Sequence, residues 1–451
     1  MNSFLKTDTI VAISTPQGTG GIHILRISGK DSIKTVNEYF EGKNLLTLKS
    51  HSLTFGKFHN KGVIIDEVLI SVFKAPKTFT GEDVVEISCH GNYFIATQIL
   101  ETLLQDLRLA EPGEFTKRAF INNRIDLTKA EAIGDLLEAQ TKSAHQLAIN
   151  QLEGKLYDKI NSLIKFITEL RMLLELEIDF VEQGLGALNH DLFLTKLQNL
   201  KSKIITLINS GNEGLIIKDG LKIALVGAPN VGKSSIFNKF LKSERAIVTP
   251  IPGTTRDYLE ESIAMNGFLL KIFDTAGIRK TDDQIEILGI ERSLQIIKKS
   301  HLVFFISDFD DEANYEKLSK IIPKEKIWKI ANKSDKMDFE MRQNLKDKNF
   351  ILTNTVDEDG MDDLKKEVLN YIKNDNYDLE SGILTNLRQI EAVRKSLESL
   401  NKAIDSFKNN LGYEFTAFDL KEASEYLEEI VGKITNEDIL TNIFSNFCVG
   451  K

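Results

Sequence analysis

Cysteine and proline are scarce in this chain of 451 residues, and long apolar runs are missing altogether. The two cysteines, Cys89 and Cys448, show no pairing or CxxC logic, which excludes a disulfide-stapled scaffold and suits a reducing cytosol. No window approaches the ~20 apolar residues that cross a bilayer, so no membrane is expected among its partners. Residues 1–15 lack a basic stretch followed by a long apolar one; no signal peptide is expected, and the expected location is cytoplasmic. Basic charge is in deficit too. The formal net charge is -9, so any nucleic-acid contact must come from local basic patches. What remains is the composition of a soluble globular protein, 42% hydrophobic and 27% charged. Its length allows roughly two to four domains, each with its own core.

The seven prolines fall at 16, 76, 112, 229, 250, 252 and 323, leaving 113–228 and 324–451 free for helix. The first 120 residues differ: short β-rich runs at 9–13, 22–27, 68–73 and 84–88 are separated by glycine-bearing turns at 18–21 and Gly81. This predicts a small α/β or α+β domain over 1–120. From about 126 to 210 helical spacing takes over, with Ile160, Leu163, Ile164, Ile167, Leu174 and Ile178 on one stripe. The pattern returns late in the chain, where Ile390, Val393, Leu397, Leu400, Ile404, Phe407 and Leu411 alternate spacings of three and four. Each amphipathic region needs an apolar partner, and each is the other's obvious one. A discontinuous helical bundle of 121–214 and 377–451 is therefore expected, with a domain of 215–376 inserted into it. A coiled coil between chains is the alternative.

The inserted region carries the most informative run, Gly227-Ala228-Pro229-Asn230-Val231-Gly232-Lys233-Ser234. It follows an apolar segment at 221–226 and opens into a helical one at 235–241, the strand–loop–helix setting that a GxxxxGK[ST] phosphate loop requires. Glycines let backbone N–H groups turn toward the phosphates, Lys233 neutralises their outer oxygens, and Ser234 offers a hydroxyl to Mg²⁺. Apolar strands at 221–226, 269–273, 302–306, 327–330 and 350–352 alternate with helical stretches, the rhythm of a doubly wound, mostly parallel sheet. The second strand runs into Asp274-Thr275-Ala276-Gly277. Asp274 can hold Mg²⁺ through water, and the Gly277 amide can approach the γ-phosphate. The fourth ends at Asn332-Lys333-Ser334-Asp335. The Asp335 carboxylate can accept from both N1–H and N2–H₂ of guanine, a donor pair that adenine lacks; a buried, unsatisfied carboxylate there would make the base choice strong. Together these motifs predict a GTP site.

Thr255, in the stretch Thr249-Pro250-Ile251-Pro252-Gly253-Thr254-Thr255-Arg256-Asp257, is the expected second hydroxyl ligand of Mg²⁺. Loop carbonyls and Asn230 could hold a monovalent cation, supplying the positive charge that an arginine finger brings elsewhere. After Asp274 to Gly277 many GTPases carry a water-orienting glutamine, whereas this chain has Ile278. Nearby candidates are Glu286, Asp282, Asp283, Arg256 and Arg279; by residue type alone each reads first as a solvated surface charge.

The flanks make the pattern specific. Phe79-Thr80-Gly81-Glu82-Asp83, then Pro112-Gly113-Glu114-Phe115-Thr116-Lys117-Arg118-Ala119-Phe120, Asp126-Leu127 with Ala130-Glu131-Ala132, and the terminal Phe447-Cys448-Val449-Gly450-Lys451 resemble the MnmE (TrmE) family of tRNA-modification GTPases, in matching order from Thr9 to Lys451. The resemblance implies an N-terminal folate-binding-like α+β domain, the split helical bundle and an inserted Ras-like P-loop GTPase domain, a multidomain α/β protein. It implies a potassium-stimulated GTPase that, with the flavin-binding partner MnmG (GidA), adds a carboxymethylaminomethyl-type group to C5 of the wobble uridine of certain tRNAs. The one-carbon unit would come from a 5,10-methylene or 5-formyl tetrahydrofolate. Homodimerisation through the N-terminal domain and FAD on the partner are also implied.

Residue by residue, the implied GTP contacts are Asn230, Val231, Gly232, Lys233, Ser234, Ser235, Thr249, Thr254, Thr255, Asp274, Thr275, Ala276, Gly277, Asn332, Lys333, Asp335, Asn354 and Thr355. Potassium would sit on Asn230, Thr249, Ile251 and Thr254; Glu286 would position water; and Arg26, Glu86, Arg124 and Lys451 would hold the folate. Asn354-Thr355 stands where relatives read Ser-Ala, and Val181-Glu182-Gln183 lacks a proline common among them. Cys448 has no His partner and is assigned no catalytic role. The rival reading is a ribosome-assembly or RNA-binding GTPase switch without group transfer, for which a strongly basic accessory domain would be expected.

Overall fold

The computed structural model describes residues 8–181, 188–243, 245–246, 260–274, 294–307, 311–373, 382–435, 437–445 and 447–451. The chain divides into two compact units, Met1–Gly134 with Leu152–Ala187 and Asn410–Lys451, and Asp135–Gln151 with Leu188–Asn409.

The first unit is built on a seven-stranded sheet. Its strands are β1 Ile10–Ile13, β2 Thr19–Ser28, β3 Phe40–Glu41, β4 Ser52–Asn60, β5 Val63–Phe73, β6 Val84–Asn92 and β7 Arg108–Leu109. They lie in the order β3-β4-β5-β6-β2-β1-β7, antiparallel except for β1 beside β7. Alternation fixes the register: Val68, Ile70 and Val72 of β5 face a core shared with Leu25, Ile27 and Ile87, and helix Tyr93–Leu103 closes it with Ala96, Ile99 and Leu103. Helix Lys155–Val181 carries the first predicted stripe, buried at Ile160, Leu163, Ile164, Ile167 and Leu174, and packs on helix Tyr413–Val431. Helix Glu437–Phe444 sets Leu440 and Phe444 against Phe120 and Leu127, which brings the chain end back to the sheet domain.

The second unit holds another seven-stranded sheet: β8 Leu221–Val226, β9 Arg245–Ala246, β10 Glu260–Met265, β11 Phe268–Asp274, β12 Leu302–Ser307, β13 Ile327–Ala331 and β14 Phe350–Leu352, in the order β14-β13-β12-β8-β11-β10-β9. The run from β14 to β11 is parallel, while β10 and β9 are antiparallel additions. Parallel strands covered on both faces read as continuous apolar runs, and all six residues of β12 are buried. Alternate residues feed two cores. Leu221, Ile223 and Leu225 join Ile236, Phe240, Leu364 and Val368, whereas Ala224, Val303 and Phe305 join Ile297 and Leu318.

The second stripe lies on helix Leu387–Lys408, which packs on helix His190–Asp219, its Phe407 meeting Phe193 with ring centroids 4.6 Å apart. Gly211 makes that crossing close, since a Cβ there would come within 2.6 Å of Ile390 Cγ1. Each stripe is covered within its own unit, the first by the later helix Tyr413–Val431 and the second by the earlier helix His190–Asp219. Leu411 falls beyond the Asn409 cap and is exposed.

Candidate functional site

Ligands of doubly wound sheets bind beyond the carboxyl ends of the strands, where the strand order reverses. Here that point is β8, flanked by β12 and β11, and the loop that leaves it is the glycine-rich run. Two of its conformations explain the sequence. Gly227, at φ 158°, lies so close to Ile306 O that a Cβ has no room, and Gly232, at φ 100°, lies equally close to the Asn332 side chain. Asn230 takes the left-handed region at φ 67°, which asparagine tolerates better than most residues. Helix Lys233–Ser243 then begins, and its N-terminal backbone N–H groups suit an anion.

The buried Lys233 folds over its own loop and donates to Gly227 O at 2.9 Å and Ala228 O at 2.7 Å. Ser234 Oγ donates to Asp274 Oδ2 at 3.0 Å, joining the start of the helix to the buried end of β11. Across the loop, Asn332 Nδ2 donates to Val231 O at 2.9 Å and Lys333 Nζ to Asn230 O at 2.9 Å. The structure thus unites the phosphate loop, Asp274 and the Asn332-to-Asp335 turn in one place. Asp335 is exposed and sits in a one-turn 3₁₀ segment, Ser334–Lys336, at the open edge of the site. Ser235 is exposed. Asn354 is buried, with its side-chain amide bonded inside its own loop. Thr249, Ile251, Thr254, Thr255, Thr275, Ala276, Gly277 and Glu286 lie outside the described residues.

In the first unit, Arg26 on β2 and Glu86 on β6 are register partners, and their side chains pair at 2.9 Å. The Arg26 guanidinium lies 5.6 Å from the Phe79 ring centroid and 5.8 Å from that of Phe115, and its Nη1 donates to Gly450 O at 3.4 Å. The tail is pinned further by Ser14 Oγ donating to Gly450 O and by Phe115 N donating to Lys451 O. Arg124 Nε donates to Thr78 O, on the loop that carries Phe79. The four expected folate residues therefore converge, Arg26 with Glu86 directly and the other two through this loop and the tail.

Sequence reasoning missed the charge cluster beneath. Arg118, only 2% exposed, bonds Glu82, Glu114 and Asp8, and Arg108 closes the ring through Asp8 and Glu114. Hydrogen bonding to Arg108 holds the Asp8 carboxyl below its usual range, despite some burial. Burial pushes Glu114 up, but Arg108, the Glu111 amide and Arg118 outweigh it and hold it low. Burial likewise works against the charge on Arg118, yet Glu82 and Glu114 keep it firmly protonated. The available signal was the i, i+4 pair Glu114 and Arg118 on a helix with apolar neighbours.

A phosphate loop at the crossover of a parallel sheet, with a serine–aspartate pair beside it and an Asn-Lys-x-Asp turn at the next strand ends, defines a P-loop GTPase domain. Comparison with known proteins narrows the class. A family model described as "GTP-binding protein TrmE N-terminus" matches residues 9–124, and one described as "MnmE helical domain" matches 127–448. Relatives named "tRNA modification GTPase MnmE" include those of Clostridioides difficile, 41% identical over 98% of this chain and 99% of that one, and of Flavobacterium psychrophilum, 37% identical over the same shares. The relative from Lactobacillus acidophilus is 40% identical over 98% of each. The chain belongs to the MnmE family of tRNA-modification GTPases.

Proposed function

We propose that this chain uses GTP hydrolysis to drive a complex that builds a carboxymethylaminomethyl-type group on C5 of the wobble uridine of certain tRNAs. As a member of its family it is a GTP-hydrolysing enzyme of tRNA modification; the wobble uridine, the folate unit and the cations are the finer reading. In it, residues 1–120 bind a tetrahydrofolate derivative and dimerise, 121–214 and 377–451 form the helical domain, and 215–376 form the GTPase domain. The homodimer works in the cytoplasm with the FAD-binding MnmG. Among the described residues no helix is long and apolar enough to cross a membrane.

The observation that carries this reading is that one chain holds two separate polar constellations. One is Lys233, Ser234 and Asp274 at the phosphate loop; the other is Arg26 and Glu86 beside the chain end. The Ser234 hydroxyl and Asp274 carboxylate, 3.0 Å apart, fit Mg²⁺, which prefers few carboxylates plus water and phosphate oxygens to an all-protein cage. Thr255 would complete the set, and the ion would neutralise charge on the phosphates. Lys233 can exchange its loop carbonyls for phosphate oxygens, and Glu286 would orient the attacking water. A potassium ion on Asn230, Thr249, Ile251 and Thr254 would add positive charge where no glutamine follows Gly277. Asn230 fits this role as an exposed loop amide. For the folate, a guanidinium–carboxylate couple between two aromatic rings suits a flat, amino-substituted heterocycle with an anionic tail.

The test is mass spectrometry of wobble uridines in tRNA from a strain lacking this gene, complemented by the parent chain, by Lys233→Ala or by Arg26→Ala. The parent should restore the modified uridine and neither variant should. Full restoration by Arg26→Ala would remove the folate assignment, and unmodified tRNA with the parent would remove the function.

A further inference from the structure

We propose that Asn354 is a positioning residue for guanine recognition: its side chain holds the loop 354–360 rigid against the Asn332-to-Asp335 turn, and it acts on the base only through that loop. This rests on the reading that the turn receives the base.

The loop leaves the carboxyl end of β14 directly beside the turn. Ser334 N donates to Thr353 O at 3.0 Å, and Thr353 N donates to Ala331 O at 2.8 Å, so the turn is bonded to the residue that leads into the loop. Thr353 and Asn354 are both buried. Three of the four hydrogen-bonding positions of the Asn354 side-chain amide are used within the loop. Oδ1 accepts from Asp357 N at 2.8 Å and from Val356 N at 3.2 Å, while Nδ2 donates to Asp357 Oδ2 at 3.1 Å. The Asn354 backbone N–H donates to Gly360 O at 2.9 Å, which closes the seven-residue loop across its base. Gly360 fits because a Cβ there would lie 2.5 Å from Asn354 Oδ1. From outside, Lys239 on the helix that follows the phosphate loop donates to Asp357 O at 2.9 Å.

An asparagine bonded in this way cannot turn its amide to a ligand without breaking three bonds. What it offers is order. A loop already fixed loses little further freedom when a nucleotide arrives, and that difference appears mainly as slower dissociation. Asparagine is well suited here, since it supplies both an acceptor for two backbone amides and a donor for a carboxylate.

The experiment measures release of a fluorescent GDP from the full chain in Mg²⁺ buffer, with the unfolding midpoint of the single tryptophan, Trp328, read in parallel. Asn354→Ala should speed release about tenfold, a change of ~1.4 kcal/mol. Asn354→Asp should do the same, because it faces Asp357 with a second carboxylate. Combining it with Asp357→Asn restores the donor–acceptor pair in reverse and should bring release back to within about threefold of the parent, a recovery that general destabilisation would not give. Lys239→Met, which leaves Asn354 in place, should give a smaller acceleration of roughly threefold. Release from Asn354→Ala within about twofold of the parent, or no recovery in the exchanged pair, overturns the proposal. Asp335→Asn tests the underlying reading separately: it should weaken GDP and admit xanthosine diphosphate. If guanine preference persists there, the base lies elsewhere, whatever Asn354 does.

Discussion

The two polar centres of this chain use charge in opposite ways. Around Arg118 charge is buried and closed, with guanidinium and carboxylates satisfying one another in a ring that spans positions 8 to 118. Around the phosphate loop charge is held provisionally, with Lys233 resting on its own loop carbonyls and Asp335 and Asn230 at the open edge. The first arrangement can define a structure because exchanging any partner is costly. The second can do chemistry because its bonds can be exchanged for a ligand's at small loss. Arg26 stands between the two, paired with Glu86 yet partly exposed beside two rings and the chain end.

The contrast breaks most visibly at Lys233. Lys233→Ala should lower GTP turnover by about two to three orders of magnitude, the usual cost of losing a positioned charge at a reacting phosphate or oxyanion. It should barely move the unfolding of the second unit, followed by Trp328, which stacks on Phe304 of the adjacent strand. A large shift in that midpoint would mean that Lys233 belongs to the structural kind. Arg118→Met makes the converse test. It leaves Glu82, Glu114 and Asp8 facing one another without their central cation, so the first unit should lose about 3 to 5 kcal/mol of stability in urea titrations followed by far-UV circular dichroism. The Trp328 transition should stay in place. An unchanged first unit would show that the ring is decorative.

Where the chain repeats a period, the structure was legible in advance. The expected strand at 221–226 is β8 to the residue, and 302–306 and 350–352 are β12 and β14 within one. Local pattern fixed these because each parallel strand is an apolar run bounded by turns. It could not choose helix partners, since a stripe declares only that something apolar must cover it. The stripes of helices Lys155–Val181 and Leu387–Lys408 each find that cover within their own unit, on helices Tyr413–Val431 and His190–Asp219. The Arg118 ring was illegible for a related reason: beyond the i, i+4 pair Glu114 and Arg118, its members at 8, 82 and 108 share no local spacing with them, and only the fold brings them together. The phosphate loop, Asp274 and the Asn332-to-Asp335 turn could be read because each is contiguous. The exposure of Asp335 could not, because it depends on how the surrounding elements are placed and not on the turn's own residues.

A smaller effect distinguishes buried neutral groups from buried charges. His301 Nδ1 accepts from Lys222 N at 3.0 Å, and burial, aided by the nearby Lys222 and Lys326 charges, pushes its pKa down to about 4. In the unfolded chain the ring binds a proton near its ordinary pKa of about 6.5. Between those values the unfolded state holds more protons, so the contribution is fully present above about pH 6.5 and is lost as pH falls toward 4. The Trp328 unfolding midpoint should therefore fall steadily from pH 7 to pH 4.5, and less steeply in His301→Asn. Equal slopes would assign the fall to other groups.

The smallest structural effect, and the sharpest test of the comparison, is expected at Arg26. Its pair with Glu86 is partly solvated, with side chains 19% and 26% exposed, so breaking it should cost at most about 1 kcal/mol. Arg26→Ala should unfold in urea nearly with the parent, unlike Arg118→Met, although the two arginines lie in the same unit. Calorimetric titration with 5-formyltetrahydrofolate should nevertheless show binding weakened at least tenfold, because a charge-assisted pair to a ligand is worth more than the exposed pair it replaces. A variant that lost several kcal/mol of stability while retaining its folate affinity would move Arg26 into the closed kind of charge. The line between the two would then run between the units instead of between buried and exposed groups.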